Sequence, residues 1–146
     1  MSQFPPALLA KATGLRLRGR AHFSKDAIGD VVPGPDEDFV IFRKLVLDPP
    51  EDQQDPPGAL FTVRFHFARL SAKANQRLSL IPAPFIAAQP GFRSKAWMLG
   101  QRTGMFQGLY EFDSVADAEV YWDSFPLRIM KRRAVPESLW HQVKPV

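Results

Sequence analysis

Arg64 and His66 stand two residues apart in the run Phe61-Thr-Val-Arg-Phe-His-Phe67. A strand there points both from one face, with Thr62 beside them, while Phe61, Val63, Phe65 and Phe67 point from the other. An imidazole titrates nearest neutrality and is the natural proton acceptor at pH 7, and a guanidinium beside it holds the anion that proton removal leaves. A unit charge pair ~4 Å apart at an effective dielectric of ~20 is worth about 4 kcal/mol, which lowers the pKa of a bound phenol or enol by about three units. The chemistry is therefore removal of a proton from an acidic hydroxyl or an enolisable carbon in a dry, cationic pocket. The electron-rich anion so formed passes an electron to dioxygen or attacks an internal carbonyl.

Other chemistries find no residues. The chain has no cysteine, so neither a disulfide framework nor a thiolate metal site is available, which fits a reducing compartment. His22, His66 and His141 are far apart, no carboxylate shares a compact ligand spacing with them, and no metal is expected. The glycines at 29 and 34 lack the strand-loop-helix context of a phosphate loop.

These side chains need a scaffold. At 146 residues with 45% hydrophobic side chains the chain can bury one good core. The net charge of +4 comes from basic residues that are dispersed except at Arg16, Arg18, Arg20 and at Arg128, Lys131, Arg132, Arg133, which reads as a solvated surface rather than a nucleic-acid groove. Lys11, Arg16 and Arg18 interrupt the oily stretch near the amino terminus, and no later run reaches membrane-spanning length. A cytoplasmic protein without membrane or nucleic-acid partners is expected.

Prolines cluster at 5–6, 33–35, 49–50 and 56–57 and mark turns. Residues 1–58 are expected as an amino-terminal extension, not an independent domain, with strands at 15–18 and 39–47, an exposed acidic connection at 48–57, and scope to act as a lid that brings His22 or Arg43 to the pocket. Residues 59–146 are the domain. Its pattern gives a strand at 60–69, a helix from Ser71 to about 80 that Pro82 and Pro84 kink or restart, a strand at 92–99, a turn at 100–104 and a returning strand at 105–112. A helix at 115–125 that Pro126 interrupts, the basic stretch 127–133 and a strand near 138–143 complete it. The order β-α-β-β-α-β is that of an α+β, ferredoxin-like antiparallel sheet with two helices on one face.

A symmetric turn pairs Leu99 with Met105, Trp97 with Gln107, Lys95 with Leu109 and Arg93 with Glu111. Phe92, Ala96, Met98, Phe106, Tyr110 and Phe112 then lie under the helices. Arg93, Lys95, Trp97, Gln107, Leu109 and Glu111 join Arg64 and His66 on the opposite face. Water, RNA or a second sheet could cover that face. Water makes it an ordinary solvated surface with Arg93 paired to Glu111. RNA is disfavoured because the aromatics of the first and third strands have the helix-side parity. The face of Trp140 and His141 stays open.

Phe65-His66-Phe67-Ala68, Pro90-Gly91-Phe92 followed by Lys95-Ala-Trp97, and Gly108-Leu-Tyr-Glu-Phe112 resemble the YdhR-like mono-oxygenases of the dimeric α/β-barrel superfamily, over about residues 59–146. The resemblance implies a homodimer closed through the open sheet and an apolar pocket in each protomer for a small hydrophobic molecule. It implies a mono-oxygenase of an aromatic or polyketide-like substrate, with a cyclase, an isomerase or a non-catalytic binding domain as alternatives. His66, Arg64 and Glu111 are the catalytic candidates; Lys95, Trp97, Gln107, Leu109 and Thr62 are the substrate contacts. No cofactor is expected, with haem left open by haem-degrading relatives. Those relatives use an asparagine, a tryptophan and a histidine, whereas the single asparagine here, Asn75, falls on the first helix, so that triad is not carried over.

Overall fold

The computed structural model describes residues 20–49, 51–52, 54–69, 71–78, 80 and 82–146. The strand expected at 15–18 lies outside the described residues. The described residues form seven antiparallel strands: β1 (Ala21–Ser24), β2 (Val31–Pro33), β3 (Asp38–Leu47), β4 (Ala59–Phe65), β5 (Phe92–Gly100), β6 (Phe106–Phe112) and β7 (Trp140–Pro145). Among the described residues the helices α1 (Ala72–Leu78), α2 (Ala83–Ala87), α3 (Val115–Trp122) and α4 (Phe125–Arg133) occupy the two crossovers. The sheet order is β1-β3-β5-β6-β4-β7, with β2 also paired to β3. From β4 onward the chain has the β-α-β-β-α-β order, and β7-β4-β6-β5 sets its first and third strands side by side, which is the ferredoxin-like α+β fold. On the outer edge of β5 that unit is continued by β3.

The helices have local causes. Ser71 caps α1 by accepting from the Ala74 N–H at 3.1 Å. Pro82 sits at the N-cap of α2, where a missing N–H does no harm. Ser114 caps α3 by accepting from the Asp117 N–H at 3.1 Å, and Ser114→Ala is expected to lower stability by about 1 kcal/mol, read as a fall of a few degrees in Tm. Pro126 does not end a helix, as its sequence position implied. It falls in the first turn of α4, and the basic stretch continues that helix to Arg133.

Beneath the helices Phe61, Tyr110, Phe112 and Tyr121 form the centre of the core, each at most 1% exposed. The Phe61 ring meets the Tyr110 and Tyr121 rings edge-on at 5.3 and 5.5 Å between centroids. Burying each such ring contributes about 1.5–3 kcal/mol.

The hairpin between β5 and β6 departs from the symmetric register. The Gly100 N–H donates to the Met105 carbonyl at 2.7 Å, so four residues, 101–104, make the turn, with Gly104 at φ +74°. Leu99 therefore pairs with Phe106, Trp97 with Gly108 and Lys95 with Tyr110. Phe92 still pairs with Phe112, and the offset is absorbed by a bulge at Arg93, because Ser94 pairs with Glu111. A one-residue slip moves every later side chain to the other face. Lys95 and Trp97 consequently point toward the helices, and Ala96 and Met98 point away, the reverse of the sequence expectation. Strand β3 has a second bulge at Phe42: Ile41 pairs with Met98, and Arg43 pairs with Trp97 on the helix side. Glu37 holds the turn, accepting from the Arg102 and Thr103 N–H groups at 2.9 Å each and from the Thr103 hydroxyl. Among the described residues no helix is long and apolar enough to cross a membrane.

Candidate active site

A cavity of about 350 Å³ lies between the helix side of the sheet and the helices. Its walls are almost wholly apolar: Phe65, Phe67 and Phe106 from the sheet side, Phe85, Leu127 and Met130 from the helices. Lys95 places its amine in the floor of this cavity. The side chain is 4% exposed, and Nζ lies 4.4 Å from the centroid of the Trp97 ring, 4.5 Å from that of Tyr110 and 5.5 Å from that of Phe106. Gly108 leaves space for it, since a Cβ there would come within 3.0 Å of the Tyr110 ring and 3.4 Å of Lys95 Cε. Arg43 reaches the same region from β3, with its guanidinium 5.4 Å from the Trp97 ring centroid and donating to the Gln76 carbonyl at 2.9 Å.

Two effects compete at the amine. Aromatic faces favour the ammonium by about 2 kcal/mol when the contact is desolvated. Removal from water disfavours it by several kcal/mol. Desolvation wins, the positive charge of Arg43 acts in the same direction, and the Lys95 pKa is held well below the ordinary lysine range. Beside it Tyr121 donates to the Tyr110 hydroxyl at 3.0 Å. Burial raises the pKa of both phenols, so both stay protonated at neutral pH. On the cavity wall Arg133 donates to Asn75 Oδ1, and its guanidinium lies 5.3 Å from the Phe67 ring centroid. Asn75 is fixed in turn by donating to the Arg69 and Ser71 carbonyls at 2.8 and 3.0 Å.

The remaining sequence candidates are on the other face. Arg64 donates to Gln107 Oε1 and lies 4.3 Å from the Trp140 ring centroid. With His66 it borders a separate hollow of about 230 Å³. Gln107 donates to Met98 Sδ at 3.2 Å. Thr62 pairs with Leu109, which packs on the small cluster of Phe39, Ile41, Ala96 and Met98. Glu111 accepts from the Ser94 hydroxyl at 2.7 Å, and Arg93 pairs with Asp113 at 3.0 Å rather than with Glu111. The set read from sequence is thus divided by the sheet, with Lys95 and Trp97 in the cavity and His66, Arg64, Glu111, Gln107, Leu109 and Thr62 behind it. In β7, His141 faces the helices and stacks on Trp122 at 3.7 Å, while Trp140 takes the Arg64 side. His22 pairs with Asp48 at 3.3 Å and lines neither hollow. Among the described residues no three His, Asp or Glu side chains gather as metal ligands.

Sheet order and helix placement define a ferredoxin-like α+β domain with an apolar cavity between its layers. Residues 60–138 match the family model described as Putative mono-oxygenase ydhR, and the chain belongs to that family. A crystal structure of an anthrone oxidase-like protein is similar in fold, with a TM-score of 0.53 and 16% identity over 75% of this chain. The chain spans 56% of that protein's length. A search of curated proteins gives no match.

Proposed function

We propose that this protein is a cofactor-independent mono-oxygenase acting on an apolar, aromatic substrate with an acidic C–H or O–H, and that its base is Lys95 in place of His66. The observation that carries the reading is the buried amine on the floor of an aromatic-walled cavity large enough for a small molecule. The neutral amine takes the substrate proton, and the ammonium formed is paired with the carbanion or enolate in low dielectric. The anion gives one electron to dioxygen, and superoxide recombines with the substrate radical at the same carbon. The peroxide anion takes the proton back from Lys95. Loss of water, with removal of the second hydrogen from that carbon, leaves a ketone, so that a CH2 group and O2 become C=O and H2O with every electron supplied by the substrate.

Anthrone, the compound in the name of the structurally similar protein, is a suitable probe because its methylene is acidic and its rings are flat. Equimolar oxygen uptake and quinone formation above the buffer rate, undiminished by a chelator, are expected. Uptake no faster than buffer on anthrone and on a panel of phenols overturns the reading, and turnover without oxygen uptake transfers it to a cyclase or isomerase.

The pH dependence has a fixed sign. The active form is the unprotonated amine, so kcat/KM rises as pH passes upward through the lowered Lys95 pKa and is level above it. Arg43→Gln removes the positive charge that depresses that pKa, and its profile is expected to rise at higher pH than the parent's. A superimposable profile would remove Arg43 from the site.

A further inference from the structure

We propose that Lys95 is also a nucleophile, and that its amine condenses with an apolar aromatic aldehyde or ketone held in the cavity to form an imine. This activity needs the cavity and the amine but not the oxygen chemistry, so it stands even if no oxygenase substrate is found.

Three observations carry it. The amine is buried at the cavity floor with ring faces around it, and no salt bridge or hydrogen bond to it is present among the described residues. Its lone pair is therefore not committed to a structural partner. The cavity is apolar, which selects carbonyl compounds with flat hydrocarbon bodies. Finally, the Tyr110 hydroxyl accepts from Tyr121, leaving its own proton for the cavity. The balance is simple: the amine nitrogen adds to the carbonyl carbon, a proton moves to the oxygen, and the carbinolamine loses one water as the C=N bond forms. Tyr110 supplies the proton that departs with the hydroxyl and takes one back from the nitrogen as the C=N bond forms, and no electrons are exchanged. The charged and titratable groups around the amine are Arg43 from β3, Tyr110 from β6, and Tyr121 from α3 and Arg133 from α4 on the cavity wall; burial and the charge of Arg43 oppose its protonation.

Reductive trapping tests this on the full chain. The protein is incubated with naphthaldehyde and sodium cyanoborohydride at neutral pH, and adducts are mapped by mass spectrometry. Each unit by which the Lys95 pKa is lowered raises its neutral fraction about tenfold. Lys95 is therefore expected to be labelled faster than any of the six other lysines, and excess naphthalene is expected to slow that labelling by occupying the cavity. Folded Lys95→Met protein, checked by circular dichroism, should retain only background labelling. Labelling of Lys95 no faster than that of exposed lysines, or labelling that naphthalene leaves unchanged, overturns the proposal. Both readouts on the parent protein remain decisive if the variant does not fold.

Discussion

Lys95→Met is expected to lower kcat by about 10²–10⁴-fold, the range for loss of a positioned general base, and at the same time to make the protein more stable at neutral pH. The two effects have one origin. Methionine fills the volume of the lysine stem among Trp97, Tyr110 and Phe106 without carrying an amine into a site that disfavours charge. Because the folded-state pKa of Lys95 is lowered, the unfolded chain binds more protons between that pKa and the ordinary value of about 10.4. The contribution of Lys95 to stability thus increases with pH across that window and levels off above it. Below the folded pKa, each unit of lowering penalises the parent by about 1.4 kcal/mol. The methionine variant lacks this slope, so its advantage is greatest at low pH and shrinks as pH approaches ~10.4. Denaturant midpoints at several pH values, taken with oxygen-uptake rates, check both halves. An unchanged kcat, or equal pH slopes for the two proteins, would sink the assignment.

Trp97→Ala is expected to cost about 3–5 kcal/mol and to lower Tm by roughly 10–15 °C. Trp97 is 1% exposed, sits in the main core, and presents its ring to both Arg43 and Lys95. Alanine removes the packing and leaves the Arg43 guanidinium and the Lys95 amine without that ring. Thermal melts of the variant test the hairpin register directly. A loss under about 1 kcal/mol is what an outward-facing side chain would give, and would restore the symmetric pairing.

Strands β4 and β6 are legible in the sequence because apolar and polar residues mostly alternate in them, Leu60 and Leu109 excepted: Phe61, Val63 and Phe65 against Thr62 and Arg64, Phe106, Tyr110 and Phe112 against Gln107 and Glu111. Strand β5 is not. Ala96 and Met98 on one parity are as apolar as Trp97 and Leu99 on the other, so the pattern does not choose between the faces, and counting straight on from Phe92 places Lys95 outside. Lysine seldom points into a core, which reinforces the wrong parity. Tyr121 and Arg133 read as packing and surface residues because their place on the cavity wall with Lys95 is a tertiary fact with no local signature. Arg43 is legible only as a candidate from the extension, and the bulge that turns it inward leaves no mark on composition.

The bulge at Arg93 has a consequence for descent. Phe92 and Lys95 both face inward, with Ser94 outward between them, so removal of residue 93 leaves a regular alternation with the amine still in place. Arg93 is an extra residue that the strand stores as a bulge without changing the phase of the side chains beyond it, and its own side chain pairs with Asp113 and donates to the Asp55 carbonyl at 2.8 Å. Gaps between kindred sequences at this position therefore carry no weight for the chemistry. A gap in the turn at 101–104 does, because there a single codon decides which side of the sheet receives the lysine.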